Sequence, residues 1–305
     1  MRLLICGASG LLGVNLALEV CKEHEVVGIV HQNAIQTSEF QVVQADLGSE
    51  GVAERLIDQF QPDWLVNCVA LADLDACEAD PPLAKKLNHE LPAKLAAYVA
   101  RGGARLLHVS TDAVFDGQRG NYREEDTPSP LSVYARTKLD GEQAVLDIHP
   151  QALIVRINFY GWSISGQRSL AEFFYNNLNA GKPVMGFTDI RFCPLLVNDL
   201  ARLLLKMMEH GLNGLYHVVA PEHLSKYEFG VELARQFGFD EGLIRPTSLS
   251  QAGLVAARSP NLTLSVEKLQ RDLPIPLPSI KTGLLHFREL LLQGYPQKLR
   301  NLRRA

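Results

Sequence analysis

The stretch that most limits how this chain can fold is its start, MRLLICGASGLLG, residues 1 to 13. A short apolar run, RLLIC, leads directly into Gly7, Gly10 and Gly13 in a GxxGxxG arrangement, and a helix-like segment comes next. Strand, glycine loop and helix in that order form an anion cradle. The glycines permit a tight turn, let the backbone approach a pyrophosphate and let the helix pack closely on the strand, while the helix N-terminus stabilises negative charge. Ser9 and Leu11, inside the same loop, are expected beside the bound group.

The loop acquires meaning from the apolar runs that succeed it along the chain. EVVGIV, DWLVNCVA, ARLLHVS and QALIVRI are short and bounded by Gly, Asp, Asn or Pro, as strands buried on both faces should be. Helix-like segments lie between most of them, at 11–22, 49–60, 82–101 and 133–147. This alternation predicts an α/β fold: a doubly wound parallel sheet, right-handed in its crossovers, over residues 1–160. Residues 161–305 are expected to form mainly a smaller substrate-binding lobe, with 190–210 returning to the first unit. Helices are predicted near 168–180 and 197–209, with a strand at GLYHVV and a helix from Ser225 to Phe237 opened by a Ser225/Glu228 capping box. The Pro-rich LPIPLP beyond Gly242 suggests an irregular end to the lobe.

Two further pieces belong with a dinucleotide. ADLGS sets Asp46 after the third strand, where its carboxylate can accept from an adenine amino group or instead start a helix. NCVA, with Cys68, Val69 and Ala70, closes the fourth strand with small side chains where a dinucleotide crosses the strand ends. The second strand ends in VGIVHQN, so His31 occupies the place where NAD-binding chains carry an acid. Without that repulsion against a 2′-phosphate, NADPH is the expected cofactor and NADH the alternative.

SVYARTKLDGE places Tyr134 and Lys138 one helical turn apart, on one face. Reducing a ketone requires a hydride on carbon and a proton on oxygen. Tyr134 can give the proton, with the Lys138 ammonium expected to lower the phenol from its usual value near 10. HVSTDAVFDG offers Ser110 or Thr111 as the hydroxyl that completes the site.

Composition removes other classes. A net charge of −4 provides no field for nucleic acid, and no run of 18 apolar residues crosses a membrane. Five cysteines, without metal-ligand spacing, point to buried thiols in a reducing, cytoplasmic setting. His89, His108, His149, His217 and His223 are scattered, and no metal site is expected. The acidic EED at 124–126 reads as a solvated loop and the basic KLRNLRRA as a frayed tail.

GASGLLG, STDAVFDG, YREEDTPSPLSVYARTKLDGE, GLYHVVA and NLTLSVEKLQRDLPIPLP together resemble the extended short-chain dehydrogenases/reductases of the dTDP-4-dehydrorhamnose reductase type. That resemblance implies a Rossmann unit and a nucleotide-sugar substrate. It makes Thr111, Tyr134 and Lys138 the catalytic set, places Gly7, Gly10, Gly13, Asp46 and Leu47 around the cofactor, and implies a lobe over the sugar. The family's substrate side maps onto Ala72, Ala113, Asn158, Phe159 and Arg191. Ala113 stands where the family has Tyr, and Ala72 where it has Thr; Phe159 or Trp162 could replace a substrate-side Trp. Catalysis with an altered sugar is therefore expected, in a chain that can form a homodimer. An epimerase or dehydratase with bound NAD is a second reading. A non-catalytic subunit like the beta subunit of methionine adenosyltransferase is a third.

Overall fold

A computed structural model of the chain describes residues 1–251 and 259–302. Strands β1 (Arg2–Cys6), β2 (Glu25–Val30), β3 (Gln41–Gln44), β4 (Trp64–Asn67), β5 (Arg105–Thr111), β6 (Leu153–Ile157) and β7 (Gly214–Val218) form one parallel sheet. Their spatial order is β7-β6-β5-β4-β1-β2-β3. β1 pairs with both β2 and β4, so the winding reverses at β1, beside the glycine loop. β4 and β6 are buried at every residue, which explains why these strands read as unbroken apolar runs.

Helix α1 (Leu11–Val20) is buried almost all round because α8 (Val197–Glu209) packs against it from the outside. On the other face lie α2 (Val52–Phe60), α5 (Leu91–Gly102) and α6 (Val133–Ile148). The single helix expected over 82–101 is three pieces: the short α4 (Pro81–Lys85), a π-helical turn at Lys86–Glu90, and α5. The π turn meets α6 at Gly141, where an added Cβ would lie 2.1 Å from the Asn88 carbonyl oxygen. The short helix α3 (Leu74–Ala79), capped by Asp73, was not legible in the sequence.

Beyond residue 160 the chain keeps rejoining the sheet: α8 lies on α1, and β7 adds an edge strand in register with β6. The lobe contains α7 (Leu170–Asn179) and α9 (Lys226–Phe237), each with a complete capping box. Its final part is less irregular than LPIPLP implied. That segment is coil, but it leads into a helix at Ile280–Leu292 and then one at Tyr295–Asn301. The basic end is accordingly no frayed tail through Asn301. Leu299 and Leu302 are buried, and Lys298 pairs with Glu39 at 2.8 Å; the last three residues lie outside the described part. One apolar core runs from β1 and α1 into the aromatic cluster of the lobe, with Tyr160, Phe174, Phe229 and Phe287. No helix among the described residues is long and apolar enough to cross a membrane.

Candidate active site

A cleft of about 620 Å3 runs along the strand ends at the winding reversal. It is lined by Gly7, Ser9, Gly10, Leu11, His31, Asp46, Leu47, Cys68, Val69 and Ala70, gathered from the ends of four strands. Gly7 adopts φ +81°, and its amide and that of Ala8 both donate to the Ile29 carbonyl, tying the loop to β2. Gly13 does not line the cleft. A Cβ there would stand 2.2 Å from the Gly7 carbonyl oxygen, so glycine is what lets α1 seat against the loop. Gly10 caps α1 without a side chain, and no acid lies in the first turn.

Asp46 accepts from the Gly48 amide and the Ser49 hydroxyl, both at 2.9 Å, and these bonds hold its carboxyl below the usual range. It closes a turn; α2 begins later and is capped by Gly51. Asn67, at the end of β4, accepts from the Val69 amide and faces His108 at 3.1 Å.

None of Thr111, Tyr134 and Lys138 lines this cleft, but the Lys138 ammonium is within electrostatic reach of Cys68, which does. Thr111 ends β5, donates to the Asp112 carboxyl at 3.1 Å and bonds to the Tyr134 phenol. Burial pushes the phenol up to about 12; Thr111 draws it back, while Asp112 and Cys77 raise it. The expectation that Lys138 lowers the phenol is therefore corrected. Lys138 spends its ammonium on the Val109 carbonyl at 2.6 Å, and burial pushes it down to about 8 against the pull of Glu142 and Cys68. Both are one-turn neighbours on α6, but the lysine turns inward to the sheet.

Under Lys138 lies a row absent from the sequence-based expectations. Ser110, Arg156 and His217 stand in register on β5, β6 and β7. Glu142, one turn beyond Lys138, accepts from Ser110 and pairs with Arg156 at 2.7 Å, the two side chains only 4% and 3% exposed. Arg156 also faces His217 at 3.4 Å and the Phe115 ring at 5.0 Å. Such a pair is costly to desolvate, and good geometry with added partners is what offsets that cost. Glu124 joins the periphery: it is half-buried and accepts from the His217 amide at 2.9 Å, so the EED segment is not wholly solvated.

The candidate substrate side is more dispersed. Ala113 comes two residues after Thr111, and its amide donates to that hydroxyl at 3.2 Å. Asn158 gives its amide to Asp112 at 2.6 Å, in a pocket where burial pushes the Asp112 carboxyl up to about 6. Phe159 is half-buried beside Leu195, whereas Ala72 is exposed on the loop after β4. Arg191 sits in the lobe, 3.3 Å from His223 and 3.9 Å from Glu228. Trp162 is removed from this set. It is 3% exposed, stacks on Phe287 at 4.0 Å and donates to the Phe287 carbonyl, so it is core. Asn88 was missed: fully buried in the π turn, it clamps Leu71 and bonds Thr137 on α6. No periodicity marks a π turn in a sequence. No group of side chains suited to a metal occurs among the described residues.

A doubly wound sheet with a glycine loop at its reversal, and with Thr, Tyr and Lys at the adjoining strand end, defines the extended short-chain dehydrogenase/reductase class. Within that class the chain belongs to the RmlD substrate binding domain family, whose pattern it matches over residues 1–292. It is 32% identical over 290 residues to the probable low-salt glycan biosynthesis reductase Agl14 of Haloferax volcanii, covering 93% of this chain and 96% of that protein. A dTDP-4-dehydrorhamnose reductase of Mycobacterium tuberculosis is 34% identical over 271 residues, 87% of this chain and 84% of its own. The Methionine adenosyltransferase 2 subunit beta of Rattus norvegicus is 33% identical over 279 residues, 88% and 81% of the two chains. Among solved structures, a hypothetical dTDP-4-dehydrorhamnose reductase from Sulfolobus tokodaii superposes with a TM-score of 0.82 at 28% identity, covering 92% and 99%. A dTDP-4-dehydrorhamnose reductase from Bacillus anthracis, solved in complex with NADP, gives 0.82 at 24% identity over 94% and 98%.

Proposed function

We propose that this chain is an NADPH-dependent reductase of a nucleotide-linked keto sugar. The observation that carries it is the glycine-loop cleft together with a bonded Thr111–Tyr134 pair one helical turn from Lys138, whose ammonium is within electrostatic reach of the cleft-lining Cys68. The cleft residues fit a dinucleotide. At Gly7 a Cβ would crowd the Cys68–Val69 backbone and at Gly10 the Gly7 carbonyl, both at 3.2 Å, so glycine keeps the loop tight against the strand ends. Gly13 keeps the helix close, with the α1 N-terminus open to a pyrophosphate. When bound, the nicotinamide supplies the hydride. Tyr134, its phenol high enough to stay protonated at neutral pH, gives its proton to the carbonyl oxygen, and Thr111 aligns that hydroxyl. Lys138, held by the Val109 carbonyl one helical turn from Tyr134, supplies a positive charge on the same face of the helix.

The sugar is not that of the dehydrorhamnose reductases. Ala113 and Ala72 leave out two hydroxyls that would discriminate between sugar oxygens, each worth about 0.5–1.5 kcal/mol net. A panel of nucleotide-linked keto sugars assayed for NADPH consumption tests this reading. Greatest kcat/KM for dTDP-4-dehydrorhamnose would reject the altered sugar, and inactivity on the whole panel would reject the reductase. Ala113→Tyr should depress turnover of the true substrate while leaving the NADPH Kd unchanged. A regulatory role has support of its own from the rat beta subunit at 33% identity. Capture of a methionine adenosyltransferase in a pull-down, with no turnover on any sugar, would favour it.

A further inference from the structure

Ser163, Ile164, Ser165 and Arg168 line the same cleft as the glycine loop. Two buried groups hold this loop in place. Glu172 on α7 is 0% exposed, and its carboxylate accepts from the Ser163 amide at 2.6 Å, the Ser163 hydroxyl, the Arg168 amide at 2.8 Å and the Ser169 amide at 3.1 Å. The capping box of α7 uses only the last of these donors. A buried carboxylate without a cation is tolerable when its lone pairs are filled, and the loop's own N–H and O–H groups fill them. Asn15 on α1, also fully buried, donates to the Trp162 carbonyl at 3.0 Å and to the Leu11 carbonyl at 2.7 Å, fastening the loop to the first turns of that helix. Between the two anchors Gly166 turns at φ +71°.

The result is a cation delivered by a preset backbone. Arg168 is pinned at its amide, yet its side chain is exposed and its guanidinium has no hydrogen-bond or ion-pair partner among the described residues. The first turn of α1 beside it has neither an acid nor a capping side chain. Resting on the dinucleotide reading above, we infer that Arg168 is a binding residue for the cofactor's pyrophosphate, placed by Glu172 and Asn15. The pyrophosphate is favoured over a 2′-phosphate because the loop is tied to α1, where the pyrophosphate lies, while the ribose end belongs to the residues after β2.

Titrations of NADPH and of NADH into wild type and Arg168→Gln, followed by nicotinamide fluorescence, decide the matter. The substitution is on an exposed side chain, and an unchanged melting temperature verifies the fold. About a tenfold weaker Kd for both dinucleotides is expected, as for the loss of one charge-assisted contact. Unchanged affinities would overturn the assignment, and so would a loss confined to NADPH, which would place Arg168 at the 2′-phosphate. Wild-type protein that binds neither dinucleotide would defeat the cofactor reading itself, and this inference with it.

Discussion

On the dinucleotide side of the crevice Gly13 has no room for a Cβ and Lys138 is 2% exposed. On the lobe side the Arg191 side chain is 39% exposed, and its contacts are with His223 and Glu228. The first side is backbone and buried charge, shaped by packing on the sheet; the second is side chains standing on short pairings. Close-packed surroundings transmit any change in size, while an exposed side chain readjusts. The proposed catalytic side is accordingly rigid in this molecule, and the proposed substrate side is adjustable. Substitutions should act steeply on one side and gently on the other.

The steepest should be Tyr134→Phe, which removes only the proposed proton donor. A fall in kcat of about 10²- to 10⁴-fold is expected, with an unchanged NADPH Kd. Turnover within about threefold of wild type would break the contrast at its centre. Glu142→Gln comes next. It leaves Arg156 buried without its counter-charge, and urea denaturation should show a loss of about 3–5 kcal/mol.

The third test uses pH. Lys138 is pushed by burial from 10.5 to about 8, so kcat/KM should fall as pH rises through about 8 and the ammonium is lost. Stability has the opposite slope. A depressed lysine binds its proton more weakly folded than unfolded, so its contribution to stability is present above 10.5 and lost as pH falls through about 8. Comparing denaturation of wild type and Lys138→Met across that window isolates the effect; a flat difference would contradict it. His31→Asp, at the exposed end of β2, should move the NADPH-to-NADH preference by about tenfold toward NADH through one added charge. Wild type that already prefers NADH severalfold would refute the reading of that strand end. Arg191→Ala should be mildest, raising KM for the sugar by about threefold with kcat intact, in line with the small worth of exposed ion pairs.

The glycine loop, the strand runs and the Tyr134/Lys138 spacing could be read directly because each depends on neighbours within a turn or a strand. Glycine at positions 7, 10 and 13 and alternating apolar runs leave few other arrangements for the first half of the chain. The same local logic found the Ser225/Glu228 capping box, where both partners lie within one turn. Trp162 defeated it. An indole near the end of β6 can face a substrate or the core, and what decided was Phe287, 125 residues away. Lys138 obeyed the same rule: spacing set it beside Tyr134, but the Val109 carbonyl on β5 claimed the ammonium. Spacing along a helix determines which side chains share a face, and it carries no record of what the sheet presents to that face. Glu172 collects donors from a loop that precedes its own helix, and Ser110, Arg156 and His217 meet only because three strands bring them into register, with Glu142 reaching the row from α6. The alternation of strands and helices and the glycine loop were thus properties of the chain's local chemistry, whereas the strand order was not. The charge state of the site and the identity of its buried partners came from long-range packing, where burial and contacts distant in sequence set the energies.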